Sequence, residues 1–229
     1  MHARPIPSLP QAARSHAGFR AWVISPAFPD YVRPTFVDGE VWLDVSPESL
    51  ETHNKVKAEF TSALVRLVRD RELGEAFSDR SFFSNPRARV STEPDFMFVS
   101  WAAFRSGRVT LTKRKERHDE FIEVVGVPDL ILEVVSDSSV RKDLVRLRDA
   151  YLRAGIPEYW LIDARGDNVR FEILRRRGGT YQASASPFDP QVSRVLRARF
   201  TLRRTRNRLG RFAYRLAIGA VPKRLSRRK

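Results

Sequence analysis

Two carboxylates stand where an apolar strand leaves no room for them. Glu133 lies inside Leu130–Val135, LILEVV, a run that is otherwise aliphatic. Such a run reads as a strand buried on both faces. An ionised carboxylate there is costly unless it is paired or binds a cation. Asp95 follows Pro94 and opens a second apolar run, Phe96 to Val99. Taken alone, Asp95 is a strand-start aspartate held by backbone N–H groups. On a strand next to Glu133 it becomes half of a pair that repels unless a cation joins it. Mg²⁺ or Mn²⁺ would suit two such carboxylates plus a backbone carbonyl, here that of Val134, because a hard cation takes oxygen ligands and keeps several waters. The chemistry open to that ion is polarising a phosphate and activating water for phosphodiester cleavage.

The elements around Glu133 are clearly signalled. After the strand come Ser136, Asp137, Ser138 and Ser139, a polar loop. Ser138 or Ser139 can cap a helix with apolar positions Val140, Leu144, Leu147 and Tyr151. Gly155 suits the left-handed position after that helix, and Pro157 stops its continuation. Glu158 to Asp163, EYWLID, is the next strand. Strand, helix and strand with short connections imply a parallel pair with a right-handed crossover. Glu133 then lies near the carboxyl end of a central strand, where ligands sit in open α/β sheets. Asp129 stands four residues earlier, about 13 Å away at strand rise, and reads as structural.

Upstream, Arg33–Val37 and Glu40–Val45 alternate around Asp38-Gly39, a strong hairpin signal. Ser46-Pro47 offers a helix start. The helix carries Val56, Phe60, Leu64, Leu67 and Val68 on one face and ends before Gly74. Glu59 flanks that stripe and reads as a solvated helix carboxylate; His53 reads as a capping or surface residue. Glu75 to Phe83 and Ala88 to Val99 are expected as strands. Ser100 caps a short helix, Trp101 to Arg105. Lys113 to Glu120, KRKERHDE, reads as a charged turn, and Phe121 to Val125 as a strand. Beyond Asp163, Val169–Leu174 and Tyr181–Ala185 flank a Gly178-Gly179 turn. Val192 to Leu202 adds a strand or two, and Gly210 to Ala220 is ambiguous between strand and helix.

Composition bounds the reading. The chain has 229 residues, 42% of them hydrophobic, enough for one domain with a real core. No stretch approaches a membrane span, and the start lacks the apolar core of a signal peptide, so a cytoplasmic protein is expected. With no cysteine, disulfides and thiolate metal sites are excluded. The formal charge of +15 is uneven. From Arg194 to Lys229 there are 14 Lys or Arg and no Asp or Glu, which leaves 28 basic against 27 acidic residues upstream. Such a run binds phosphate backbones by counterion release. Arg203, Arg204, Arg206, Arg208 and Arg211 are its candidate nucleic-acid contacts. The expected organisation is a flexible proline-rich arm over 1–20, a domain over 21–190, and a basic C-terminal extension over 191–229.

Pro94-Asp95, followed at a distance by Glu133 in an apolar strand, looks like the PD-(D/E)XK nuclease arrangement. PDLILEVVSDSS, a helix with a tyrosine, then AGIPEYWLID closely resembles the Uma-type putative restriction endonuclease family. DGEVWLDVSPESLETHNKVKAEF fits the same family's hairpin and first helix. The likeness covers Val32 to Asp163 well and the later strands loosely. It implies an α/β fold, a restriction-endonuclease-like mixed central sheet flanked by helices, with the N-terminal hairpin and the basic extension added. It also implies a Mg²⁺-dependent endonuclease acting on DNA, with Asp95 and Glu133 as metal ligands, and makes a homodimer an expectation. One motif residue is displaced. The lysine expected two residues after the glutamate is Val135, and the alternative helix position is Leu147. Lys142, in the first turn of the helix, is the preferred substitute for a role in stabilising developing negative charge. A first-turn lysine is disfavoured by the helix dipole, which points to a nearby anion. Arg148 is a second basic candidate, and Glu40 and Glu59 are lesser candidates for an additional acid. Two further readings compete: a nuclease-fold nucleic-acid-binding protein without catalysis, and an interaction module in a larger assembly.

Overall fold

The computed structural model describes residues 7–114 and 119–221. Residues 115–118 of the expected charged turn, the first six residues and 222–229 of the basic tail lie outside the described residues. The central unit forms as the sequence predicts. Strand β9, Leu130–Val134, is followed by a wide π-type turn, Lys142–Leu147, helix α4, Arg148–Ala154, and strand β10, Glu158–Asp163. β9 and β10 pair in parallel, Glu133 opposite Leu161. Gly155 closes the helix at φ 85°, the left-handed conformation expected there.

These strands belong to a six-stranded sheet flanked by β6, Phe96–Ser100, and β3, Gly74–Ser78, on one side. On the other side are β11, Arg170–Arg177, and β12, Thr180–Ala183, an antiparallel pair. A second six-stranded sheet holds the hairpin β1, Arg33–Val37, and β2, Glu40–Asp44, with β5, Val90–Thr92, β4, Phe83–Asn85, β8, Phe121–Gly126, and β7, Val109–Lys113. Asp38 and Gly39 both take positive φ, the tight turn that Asp-Gly favours. A third sheet contains β13, Gln191–Ser193, β14, Ala198–Arg206, and β15, Phe212–Gly219. The ambiguous stretch Gly210 to Ala220 is therefore a strand.

Strand alternation divides the core. Phe96, Phe98, Leu130, Leu132, Val134 and Trp160 face helix α2, Lys55–Asp70, and the third sheet. Met97, Val99, Ile131, Val135, Tyr159 and Leu161 face the second sheet and α4. With side chains alternating at period two, Glu133 shares the face of Ile131 and Val135 and points at α4. Ser49, not Ser46, caps the turn leading into α2, accepting from Thr52 N–H at 3.3 Å. The long expected strands 75–83 and 88–99 each split in two. In the second, Glu93-Pro94-Asp95 interrupts the ladder, since proline has no N–H to give.

The expected flexible arm is corrected over residues 7–20. Ser15 caps helix α1, His16–Val23. Phe19 is fully buried and meets Phe36 at 5.3 Å between ring centroids. Arg20 donates to both oxygens of the buried Glu123, at 2.7 and 2.8 Å. This apolar seal onto the second sheet outweighs the weak helical signal of the proline-rich segment.

Candidate active site

The site is built where β6, β9, α4 and the start of α2 meet. The β6–β9 register pairs Phe96 with Leu132, so the next step sets Asp95 opposite Glu133. Asp95 is held by its own chemistry: its Oδ2 accepts the Val134 backbone N–H at 2.7 Å. Glu133 Oε1 accepts from the Tyr151 hydroxyl at 2.7 Å, and Tyr151 itself is fully buried on α4. Burial pushes the Glu133 carboxyl well above the usual range, and Asp143 and Asp95 push the same way against Lys142 and Tyr151. Asp143, in the wide turn before α4, is raised to about 6, mainly by burial. Ser139 donates to Asp143 Oδ2, while Oδ1 has no hydrogen-bond partner. Asp95 and Asp143 thus both act on Glu133 through their charge.

Lys142 lies among them. Its Nζ is 3.6 Å from Asp143 Oδ1. Burial opposes its charge, yet Asp143, Glu133, Asp95 and Asp44 outweigh that and hold its pKa above the ordinary lysine value. The anion inferred from its first-turn position is thus several carboxylates.

On the other side of Asp95 stands a cluster that the sequence did not single out. His53, in the π-type turn Leu50–Asn54 that leads into α2, and Lys57, in the first turn of α2, are both buried. His53 Nε2 is 3.6 Å from Asp95 Oδ2, and its Nδ1 is 3.2 Å from Glu48 Oε2 without hydrogen-bond alignment. Lys57 Nζ approaches Glu48 at 2.5 Å, Asp79 at 3.2 Å and Asp95 at 3.6 Å. Burial works against the His53 charge, but Glu48 and Asp95 raise its pKa overall. Burial likewise favours the neutral Glu48 carboxyl, but His53 and Lys57 hold its pKa far below the usual range. Ligand atoms of Glu48, His53 and Asp95 all lie within 4.8 Å of one another. Two carboxylates and an imidazole are donors that suit a divalent ion. A histidine at a capping position and a lysine beside an apolar stripe carry no local mark of this role.

Other candidates lie apart. Glu59 is half-buried rather than free in solvent; it accepts the Leu216 N–H at 2.7 Å and docks β15 on α2. Glu40 is exposed at the hairpin turn and pairs with Arg146. Arg148 stands near Tyr181 of β12. Asp129 is structural as expected, accepting from Ser100 N–H at 2.8 Å and from Arg108. Val135 and Leu147, where a motif lysine would stand, are fully buried in the apolar core. Of the five tail arginines, Arg204 is turned inward. It donates to the carbonyls of Ala164 and Gly166 at 3.1 and 2.9 Å and lies 4.3 Å from the Phe212 ring centroid. Arg206 covers the same ring and donates to Gly210 O at 2.6 Å. Arg203, Arg208 and Arg211 are exposed. Arg203 pairs across strands with Arg215, which is exposed as well.

Glu93, two residues before Asp95, gives a stability prediction. Burial pushes its carboxyl up to about 7, against the pull of Arg80. The folded protein thus keeps a proton that the unfolded chain releases near pH 4.5, and stability drains away as pH rises from there to about 7. Glu93→Gln should be more stable than wild type at pH 8, by about 2 kcal/mol, with the difference closing toward pH 5. Urea midpoints at the two pH values measure it; a gap independent of pH would refute the assignment.

With this geometry in view, comparison with known proteins is decisive for the family. The Uma2 family, described as "Putative restriction endonuclease", matches residues 19–204. The chain belongs to that family. Among solved structures, a putative nuclease belonging to DUF820 from Anabaena variabilis ATCC 29413 has a TM-score of 0.52 and 16% identity. The match covers 71% of this chain and 82% of that one. At that identity the likeness concerns the fold, a mixed α/β architecture, which the Uma2 member shares. No curated protein matches the chain. No helix of this Uma2 protein is long and apolar enough, among the described residues, to cross a membrane.

Proposed function

We propose that this Uma2 protein is a divalent-metal-dependent nuclease that hydrolyses phosphodiester bonds in DNA. The observation that carries the reading is Asp95, at the entry to β6, accepting the Val134 N–H of β9 at 2.7 Å beside Glu133, with the half-buried Lys142 Nζ 3.6 Å from Asp143 Oδ1. Asp95 would hold the cation, with Glu133 on the sheet side and Glu48 and His53 on the α2 side. The imidazole in that set favours Mn²⁺ over Mg²⁺. When bound, the ion polarises phosphate and activates water. Lys142 supplies fixed positive charge where negative charge grows on phosphate. Tyr151 orients Glu133 by donating to its Oε1 at 2.7 Å. The test is nicking of supercoiled plasmid with Mn²⁺ or Mg²⁺ against EDTA. Metal-dependent nicking upholds the reading; intact plasmid under every metal removes it.

A specific observation favours a second reading, a nuclease fold that binds DNA without cutting it. Both motif-lysine positions, Val135 and Leu147, are sealed in the core. Intact plasmid with salt-sensitive binding would select this reading.

Either way the third sheet is proposed as the DNA-binding surface. Its outward face carries Arg199, Arg203 and Arg215, and no acidic residue lies between Arg194 and Lys229. Like charges opposed across strands are unfavourable unless an anion separates them. Arg203→Glu with Arg215→Glu should lower DNA affinity by about tenfold or more at low salt and reduce the salt slope by about two. Fluorescence anisotropy across a salt series measures both. An unchanged slope would place DNA elsewhere.

A further inference from the structure

We propose that Lys57 is the resident counter-cation of the Asp95 site, and that a divalent ion binds there against it. The proposal rests on the metal reading of the site. Lys57 stands one residue off the apolar stripe of α2, yet its side chain is only 8% exposed. Nothing in the packing asks for a lysine at that position. What it meets is charge: Glu48, Asp79 and Asp95 at 2.5, 3.2 and 3.6 Å. Arg33 pairs with Glu48 as well and lies 3.8 Å from Asp79. Three carboxylates thus face two permanent cations, and the cluster comes close to neutrality without any metal. Buried charges need such compensation to fold at all.

The same balance has a consequence for ion binding. A divalent ion's affinity for a carboxylate site follows the uncompensated charge of its ligands. With Lys57 in place, most of that charge is already spent on an ammonium. Its four-carbon stem is flexible enough to withdraw, where an arginine fork locked on two carboxylates is not. One turn earlier in the chain, His53 faces the same acids, its Nε2 3.6 Å from Asp95 Oδ2 and its Nδ1 3.2 Å from Glu48 Oε2. Lys57 thereby lets the protein fold metal-free and sets the ion concentration at which the site loads.

The test is a calorimetric titration of Mn²⁺ into metal-free wild type, Lys57→Gln and Lys57→Arg, with no DNA present. Lys57→Gln should bind Mn²⁺ about tenfold tighter or more. Lys57→Arg, which keeps the charge, should stay at or below wild-type affinity. Equal or weaker binding by folded Lys57→Gln overturns the proposal. If Lys57→Gln is unfolded without metal, Mn²⁺ should restore its circular dichroism spectrum, and failure to restore it also overturns the proposal. Cleavage plays no part in this readout. Tighter binding by Lys57→Gln in a protein that never nicks plasmid would uphold the counter-cation and reject the hydrolysis reading.

Discussion

Asp95→Asn should lose metal-dependent nicking, with the rate down on the order of 10³-fold. The asparagine carbonyl can still accept the Val134 N–H that Asp95 Oδ2 takes at 2.7 Å, so the strand end keeps its geometry. What disappears is the charge shared by both halves of the site. Stability should fall too, by about 1–2 kcal/mol, because Lys57 and His53 lose a carboxylate each approaches at 3.6 Å. Glu133→Gln separates the two effects. Burial, Asp143 and Asp95 raise the Glu133 pKa, and glutamine keeps both the shape and an acceptor for Tyr151. That variant should lose nicking while keeping the wild-type urea midpoint at pH 7. Nicking within tenfold of wild type in both variants would exclude these carboxylates from the chemistry.

The largest stability effect is expected far from the site. Glu158 opens β10 and is almost fully buried. Its carboxylate accepts from Trp160 Nε1 at 3.1 Å, Ser193 Oγ at 2.7 Å, and the backbone N–H groups of Arg194 and Val195 at 2.6 and 3.3 Å. Those last three belong to the segment that begins the third sheet. Phe200 of β14 then packs edge-on against Trp160, 4.7 Å between centroids. Glu158→Ala strands four donors at once and should cost about 3–5 kcal/mol, read as a shifted denaturation midpoint. Glu158→Gln, with a single acceptor oxygen, should cost about half as much. Hydrogen exchange in β14 and β15 should rise before exchange in β9. Uniform loss of protection would show that the third sheet is not a separable unit.

The sequence by itself determined the parts whose signals are local. Asp38-Gly39 between alternating runs specifies a hairpin because few residues tolerate two positive φ values in a row. The β9–α4–β10 unit follows from an aliphatic run, a polar loop, a helical stripe and a Gly155 stop. Asp95 and Glu133 were legible because a carboxylate in an apolar strand is anomalous wherever that strand lies. Tertiary structure alone decided which polar groups of the helices and their leading loops join them. Glu48, His53, Lys57 and Asp143 look like ordinary surface residues, since a helix pattern marks its apolar stripe but not which flanking side chain meets a distant strand. The arginine tail makes the same point. Arg203 and Arg204 are neighbours in sequence, yet strand alternation sends one to the open face and the other onto Phe212 and the Ala164 carbonyl. Which is which depends on the side of β14 that the core covers. That choice is made by Phe200 and Leu216 packing beneath α2 and Trp160, contacts that join distant parts of the chain.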